Sequence, residues 1–217
     1  MNKKYAIFDM DGTLLCSMGY WRQLWREFLS LKGVDPIPDN MLERIKPLTM
    51  QQSAELFIKE FSLPGTPETV AREMHDLMGA HYANDVTLKE GAREYLDALR
   101  SKGVRMCIAS ATTEYLVFPC LERYGIKDHF EFVLSCEETG LGKHIPDIYL
   151  MAAERFSAKP EDIAVYEDAM YAARTAKQAG FYLVGVWDEV ASRHWEEIKG
   201  FADETIADWR EAKPEQG

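Results

Sequence analysis

No stretch of this 217-residue chain approaches the apolar length of a membrane span, and no Lys/Arg-rich run offsets its formal net charge of -11. The first absence argues against a membrane helix. The second argues against a nucleic-acid partner, because 25 basic residues face 36 acidic ones and the excess repels phosphodiester backbones. Cysteine is scarce: Cys16, Cys107, Cys120 and Cys136 form no Cys-x-x-Cys pair, in a chain long enough to build a core without disulfides. They are expected to be reduced and intracellular. Lys3 and Lys4 could open a secretion signal, but Asp9 and Asp11 interrupt the apolar run that must follow, and a cytoplasmic location is expected. His75, His81, His129 and His194 lack ligand spacing, which leaves zinc without a site. Low-complexity segments and repeats are missing as well. What is present, 47% hydrophobic and 28% charged residues, suits an ordinary packed globular protein.

Lys4 to Asp9 (KYAIFD) is a short apolar run ending at acids and Gly12, the pattern of a strand buried on both faces of a parallel sheet. Val104 to Ser110, Ile163 to Asp168 and Tyr182 to Trp187 share it, and Phe130 to Ser135 supplies a fifth. Helical patterns precede them: Ala92, Tyr95, Leu96 and Leu99 recur at i, i+3, i+4 and i+7 before Gly103, and Ala169 to Ala179 stops at Gly180. Strands alternating with helices imply right-handed crossovers and an α/β fold with a doubly wound parallel sheet. From Leu15 to about Leu88 strand patterns vanish. Trp21, Leu24, Trp25 and Phe28 form a helical stripe, further helices are expected near Asp39 to Ile45, Met50 to Phe61 and Pro67 to Ala83, and prolines divide them. The expected organisation is a core of residues 1–15 and 89–217 interrupted by a helical cap of residues 16–88.

In an open parallel sheet, ligands bind outside the carboxyl ends of the strands. Asp9, Ser110 and Asp168 end strands here, and two carboxylates with a hydroxyl at one edge offer the hard oxygen ligands that suit Mg²⁺. Asp9-Met10-Asp11-Gly12-Thr13 sets two acids two residues apart on a strand that bends at glycine, so one can serve as nucleophile and the other as proton donor. Gly140-Leu141-Gly142-Lys143 lacks the spacing and following hydroxyl of a nucleotide phosphate loop.

Taken in order, FDMDGTLL (Phe8 to Leu15), CIAS ending at Ser110, GKHIPDIY (Gly142 to Tyr149) and VYED (Val165 to Asp168) resemble the four motifs of the haloacid dehalogenase superfamily. The resemblance spans nearly the whole chain and is nearest to the β-phosphoglucomutase-like phosphatases, with a Rossmann-like core and a helical cap after the first motif. It implies that Asp9 attacks phosphorus to form an aspartyl-phosphate and that Asp11 protonates the leaving alkoxide and later activates water. It also implies Mg²⁺ on the Asp9 and Asp168 side chains and the Asp11 carbonyl, with Glu167 at the metal's edge. Ser110, the amide of Ala111 and Lys143 would hold the transferring oxygens. Trp21 and Lys46 are the cap candidates for substrate contact. Cys16 stands for an acid and Ala172 for a glycine of the pattern, and neither removes a catalytic atom; His144 stands for the proline after Gly-Lys, and against the mutase pattern Pro47 stands for a glycine.

The implied activity is hydrolysis of a small phosphorylated metabolite. Asp11 argues against the dehalogenases, which have no alkoxide to protonate. The nearest competitor is a sugar-phosphate mutase, in which a histidine and an arginine would stand where Trp21 and Met50 occur. A competitor of another class is a phosphate-carrying signalling or binding module without turnover; a receiver domain, however, carries its phosphorylated aspartate after the third strand of a shorter chain.

Overall fold

The computed structural model describes residues 2–45 and 48–214. The chain divides into two compact units, Met1–Met18 with Val86–Gly217, and Gly19–Asp85. These divisions fall three residues inside the expected 16–88 insertion at each end. The shift has a local cause: Leu15 bridges Leu88, and the Cys16 N–H donates to the Thr87 carbonyl at 2.8 Å, so the two connecting segments are tied to each other within the first unit.

The first unit carries six strands, β1 (Tyr5–Phe8), β2 (Arg105–Ser110), β3 (Phe130–Ser135), β4 (Ile163–Glu167), β5 (Tyr182–Val186) and β6 (Glu204–Ile206). All pairings are parallel, in the order β3-β2-β1-β4-β5-β6. The chain therefore winds outward from β1 through β2 to β3, then returns to lay β4 on the other side of β1. The gap between β1 and β4 is the topological switch point, where such sheets open a crevice at their carboxyl ends. β6 was not among the expected strands: three residues, Glu-Thr-Ile, are too few to display a period.

Helices α1 (Met18–Leu31), α2 (Met41–Ile45), α3 (Met50–Phe61) and α4 (Pro67–Asn84) precede the return to the sheet, and α5 (Ala92–Ser101), α6 (Glu114–Arg123), α7 (Cys136–Thr139), α8 (Asp147–Phe156), α9 (Met170–Gln178) and α10 (Trp195–Lys199) follow it. Both faces of the sheet are buried. Ile7, Cys107, Ala109, Ile163 and Val165 project to one face and pack on Ile148, Tyr149, Ala152 and Phe156 of α8 and Ala176 of α9. Phe8 and Tyr166 project to the other, stacked with ring centroids 4.2 Å apart, and Tyr166 meets Tyr95 and Trp209. Helix α6 escapes a periodicity-based reading because Pro119 lies inside it.

The second unit is helical, as its lack of strand patterns suggested. Trp25, Phe28 and Leu29 of α1 form a core with Met41, Ala54, Phe57, Val70 and Met74. Capping boxes start two of its helices, Thr49 with Gln52 on α3 and Thr66 with Thr69 on α4, each satisfying N-terminal N–H groups that the helix leaves unpaired.

Candidate active site

Strand parity builds the site. Phe8 is level with Ile108 and Tyr166, so Asp9 and Glu167, one residue on, share the face of Ile7 and Val165. That face is the one α8 covers. Lys143, in the loop before α8, and Tyr149, on its first turn, meet the two acids there. The Lys143 ammonium donates to Asp9 and to Glu167 Oε1 at 2.6 Å. The Tyr149 hydroxyl also donates to Glu167 Oε1, at 3.1 Å, while Glu167 Oε2 accepts from the Asp168 and Ala169 N–H groups.

Asp9, Glu167 and Asp168 are each buried, and one carboxylate oxygen of each lies within 4.8 Å of the others. Burial pushes the Asp9 carboxyl up from 3.8 to about 7, with Glu167 and Asp11 adding to the rise and Lys143 opposing it. Asp168 is likewise raised, first by burial and then by Asp9 and Glu167. Burial alone would lower the Lys143 pKa, but the carboxylates of Asp9 and Glu167 hold it well above its ordinary value. Three clustered carboxylates against one ammonium leave an excess of negative charge in a place water scarcely reaches. A hard divalent cation fits that donor set, since all its nearby side-chain ligands are carboxylate oxygens.

The turn after β1 is wound tightly. Met10 O accepts from the Leu14 and Leu15 N–H groups, and the Gly12 N–H donates to Leu15 O at 3.0 Å. Gly12 has φ +87°, and a Cβ there would lie 2.4 Å from Asp168 Oδ2, so glycine is required by both backbone and space. On this turn the Asp11 carboxylate is held by two hydroxyls: Ser17 Oγ donates to one of its oxygens and Thr112 Oγ1 donates to the other at 2.6 Å. Thr13 Oγ1 donates to Asp168 Oδ1 at 3.1 Å. Ser110 ends β2 fully buried, its Oγ accepting from the Thr112 N–H at 3.0 Å, and Ala111 follows it on the surface.

Asp9, Asp11, Ser110, Ala111, Lys143, Glu167 and Asp168 thus all lie at the carboxyl edge of one sheet. Trp21 belongs to the other unit, half-buried on α1 with its indole N–H donating to the Tyr82 hydroxyl at 3.1 Å. Lys46 and Pro47 lie outside the described residues. His144 is exposed beside Lys143. Sequence reading missed Ser17, Thr112, Thr13 and Tyr149 as partners of the site's acids. Thr13 and Tyr149 lay inside the quoted motifs, whereas Ser17 and Thr112 carried no signal, because a hydroxyl's partner is set by tertiary approach.

The fold class is therefore a Rossmann-like α/β protein with buried acids at its switch point. The chain belongs to the haloacid dehalogenase-like hydrolases, whose family model matches residues 3–180. It is 28% identical over 218 residues to a probable pseudouridine-5'-phosphatase of Drosophila melanogaster, covering 98% of this chain and 92% of the relative. To a β-phosphoglucomutase of Bacillus subtilis it is 26% identical over 190 residues, covering 84% and 83%. Its fold is similar to that of CbbY from Rhodobacter sphaeroides in complex with phosphate, with a TM-score of 0.78, 23% identity and 96% of both chains covered. Among the described residues no helix is long and apolar enough to cross a membrane.

Proposed function

We propose that this hydrolase is a Mg²⁺-dependent phosphatase that cleaves a small phosphate monoester through an aspartyl-phosphate on Asp9. The observation that carries the reading is the Asp9 carboxylate at the switch point, held by Lys143 and crowded by Glu167 and Asp168. Asp9 and Asp168, with the Asp11 carbonyl, would hold the cation. When bound, Mg²⁺ would neutralise the charge between an attacking carboxylate and an anionic phosphate.

In the first step an Asp9 oxygen forms a bond to phosphorus, the ester P–O bond breaks, and a proton on Asp11 passes to the departing alkoxide. In the second, Asp11 takes a proton from water, the water oxygen bonds to phosphorus, and the Asp9–phosphorus bond breaks to release inorganic phosphate. Ser17 and Thr112 aim the Asp11 carboxylate for both transfers. Lys143, the Ser110 hydroxyl and the Ala111 N–H hold the phosphoryl oxygens, and Glu167 keeps Lys143 in place.

The same machinery would serve a sugar-phosphate mutase. Trp21 supports the phosphatase: an indole N–H bound to a tyrosine hydroxyl cannot shuttle protons as a gating histidine would. A signalling or binding module without turnover would keep the phosphate on Asp9.

A panel of phosphate esters with Mg²⁺ tests the reading and narrows the substrate class at once. Phosphate release that chelator abolishes and Asp9→Asn eliminates is expected. Undiminished release by Asp9→Asn would remove the nucleophile and the proposal with it.

A further inference from the structure

The turn that carries Asp9 and Asp11 is gripped from outside by one residue that no motif marks. Lys89 lies three residues past Val86, where the first unit resumes, on the segment that bridges Leu15 through Leu88. Its backbone N–H donates to Leu14 O at 2.8 Å, and its ammonium donates to Gly12 O, two carbonyls of the same turn. The ammonium also donates to Trp187 O at 2.7 Å, at the end of β5, and pairs with Asp188 Oδ2 at 3.2 Å. The pair is dry: the Lys89 and Asp188 side chains are 13% and 10% exposed. Asp188 is itself fixed by accepting the Val190 N–H at 2.9 Å.

We infer that Lys89 is a positioning residue for the reaction, clasping the Gly12 turn to the end of β5 so that Asp11 and Thr13 keep their aim. The inference rests on the phosphatase reading and extends it to a residue that touches neither substrate nor reacting atoms. Its physical basis is the turn's position between two functional groups. Gly12 lies directly between Asp11, the acid and base, and Thr13, which holds Asp168. Rotation of the Gly12 peptide would therefore turn both neighbours, and the space beside Gly12 is so limited that even an added Cβ would lie 2.4 Å from Asp168 Oδ2. Intra-turn hydrogen bonds hold the Met10 and Leu15 carbonyls, whereas the Gly12 carbonyl is taken by the Lys89 ammonium alone among the described hydrogen bonds. An ammonium suits the task because one group with three N–H bonds reaches two carbonyls and a carboxylate from different elements. An apolar residue there would lose all three contacts and leave the Asp188 carboxylate buried without its counter-charge.

The test is steady-state kinetics of Lys89→Met and Lys89→Arg on an ester the native enzyme turns over, with thermal melts of each variant. Misplacement of an acid/base group by a fraction of an ångström costs rate more than binding, so Lys89→Met should lose about 10- to 100-fold in kcat with KM within about threefold. Lys89→Arg, which can still donate to carbonyls and carboxylate, should recover most of that kcat. Equal kcat for Lys89→Met and native enzyme would overturn the inference, as would a loss fully explained by the unfolded fraction at the assay temperature. If Lys89→Met does not fold, Lys89→Gln replaces it: its amide can donate to one carbonyl at a time, and a folded Lys89→Gln with native kcat would be equally decisive. Asp9→Asn in parallel separates the two failures. Should it hydrolyse the ester as the native protein does, the phosphatase reading is lost; should it be inactive while Lys89→Met is fully active, only the clasp is lost.

Discussion

Replacing Lys143 by alanine should lower stability and turnover together, yet Mg²⁺ should offset only the loss of stability. The ammonium is 3% exposed and donates to Asp9 and Glu167, which cluster with Asp168 within 4.8 Å. Deleting one partner of a buried ion pair costs about 3 to 5 kcal/mol, because the charge left behind has neither water nor counter-ion. Here proton uptake by the acids softens the cost, so about 3 kcal/mol is expected without metal near neutral pH. A divalent cation supplies the missing positive charge, and at 100 times its dissociation constant it returns about 2.7 kcal/mol. Turnover is different, since losing one preorganised charge contact to the transferring oxygens removes about 2 to 4 kcal/mol of transition-state stabilisation, roughly 30- to 900-fold in rate. A cation at the carboxylates does not replace a donor at the phosphoryl oxygens. Urea unfolding with and without Mg²⁺, beside phosphate-release kinetics at saturating Mg²⁺, measures both. Lys143→Ala that unfolds at the native urea concentration without metal, or that regains native turnover in excess Mg²⁺, would refute the reasoning.

Asp11→Asn should abolish steady turnover but accumulate phosphoenzyme from an ester with a good leaving group, because attack then needs no acid while hydrolysis still needs a base; intact-mass spectrometry of the quenched enzyme would detect the adduct, and normal turnover would remove the acid/base assignment. His81 provides a pH signature in the helical unit. Burial disfavours its charge, but hydrogen bonds to Asp85 and Glu27, both at 2.8 Å, outweigh burial and raise its pKa above 6.5. A raised cation pKa stabilises the fold fully below the unfolded value and fades as pH rises through the folded one, so the deficit of His81→Gln, about 1 kcal/mol or less at pH 5.5, should shrink as pH climbs past neutrality; a deficit that grows with pH in urea melts would contradict the sign. In a bisphosphate-primed assay, phosphate release should exceed interconversion of β-glucose 1-phosphate and glucose 6-phosphate, and faster isomerisation would favour the mutase.

The sequence by itself determined the architecture, because the signals that specify it are local. Runs such as Tyr5–Phe8 and Ile163–Tyr166, which carry no charged residue, have no solvent face and so belong to a parallel sheet covered on both sides. Acids at the ends of those runs marked the carboxyl edge, which is why Asp9, Ser110 and Asp168 could be named before any geometry was known. β6 stayed hidden, since three residues cannot show a period, as did α6 with Pro119 inside it. Tertiary structure alone decided the partnerships. Outside its motif Lys143 would be one more surface lysine; the packing of α8 on the sheet is what carries it to Asp9, 134 residues away in the chain. Thr112 meets Asp11 across 101 residues and Lys89 meets Gly12 across 77. A hydrogen-bond partner depends on which elements pack together and in what register, and hydroxyls and lysines leave no periodic trace of either. The order of strands around β1 is likewise absent from any single strand, yet it creates the crevice in which those distant groups converge.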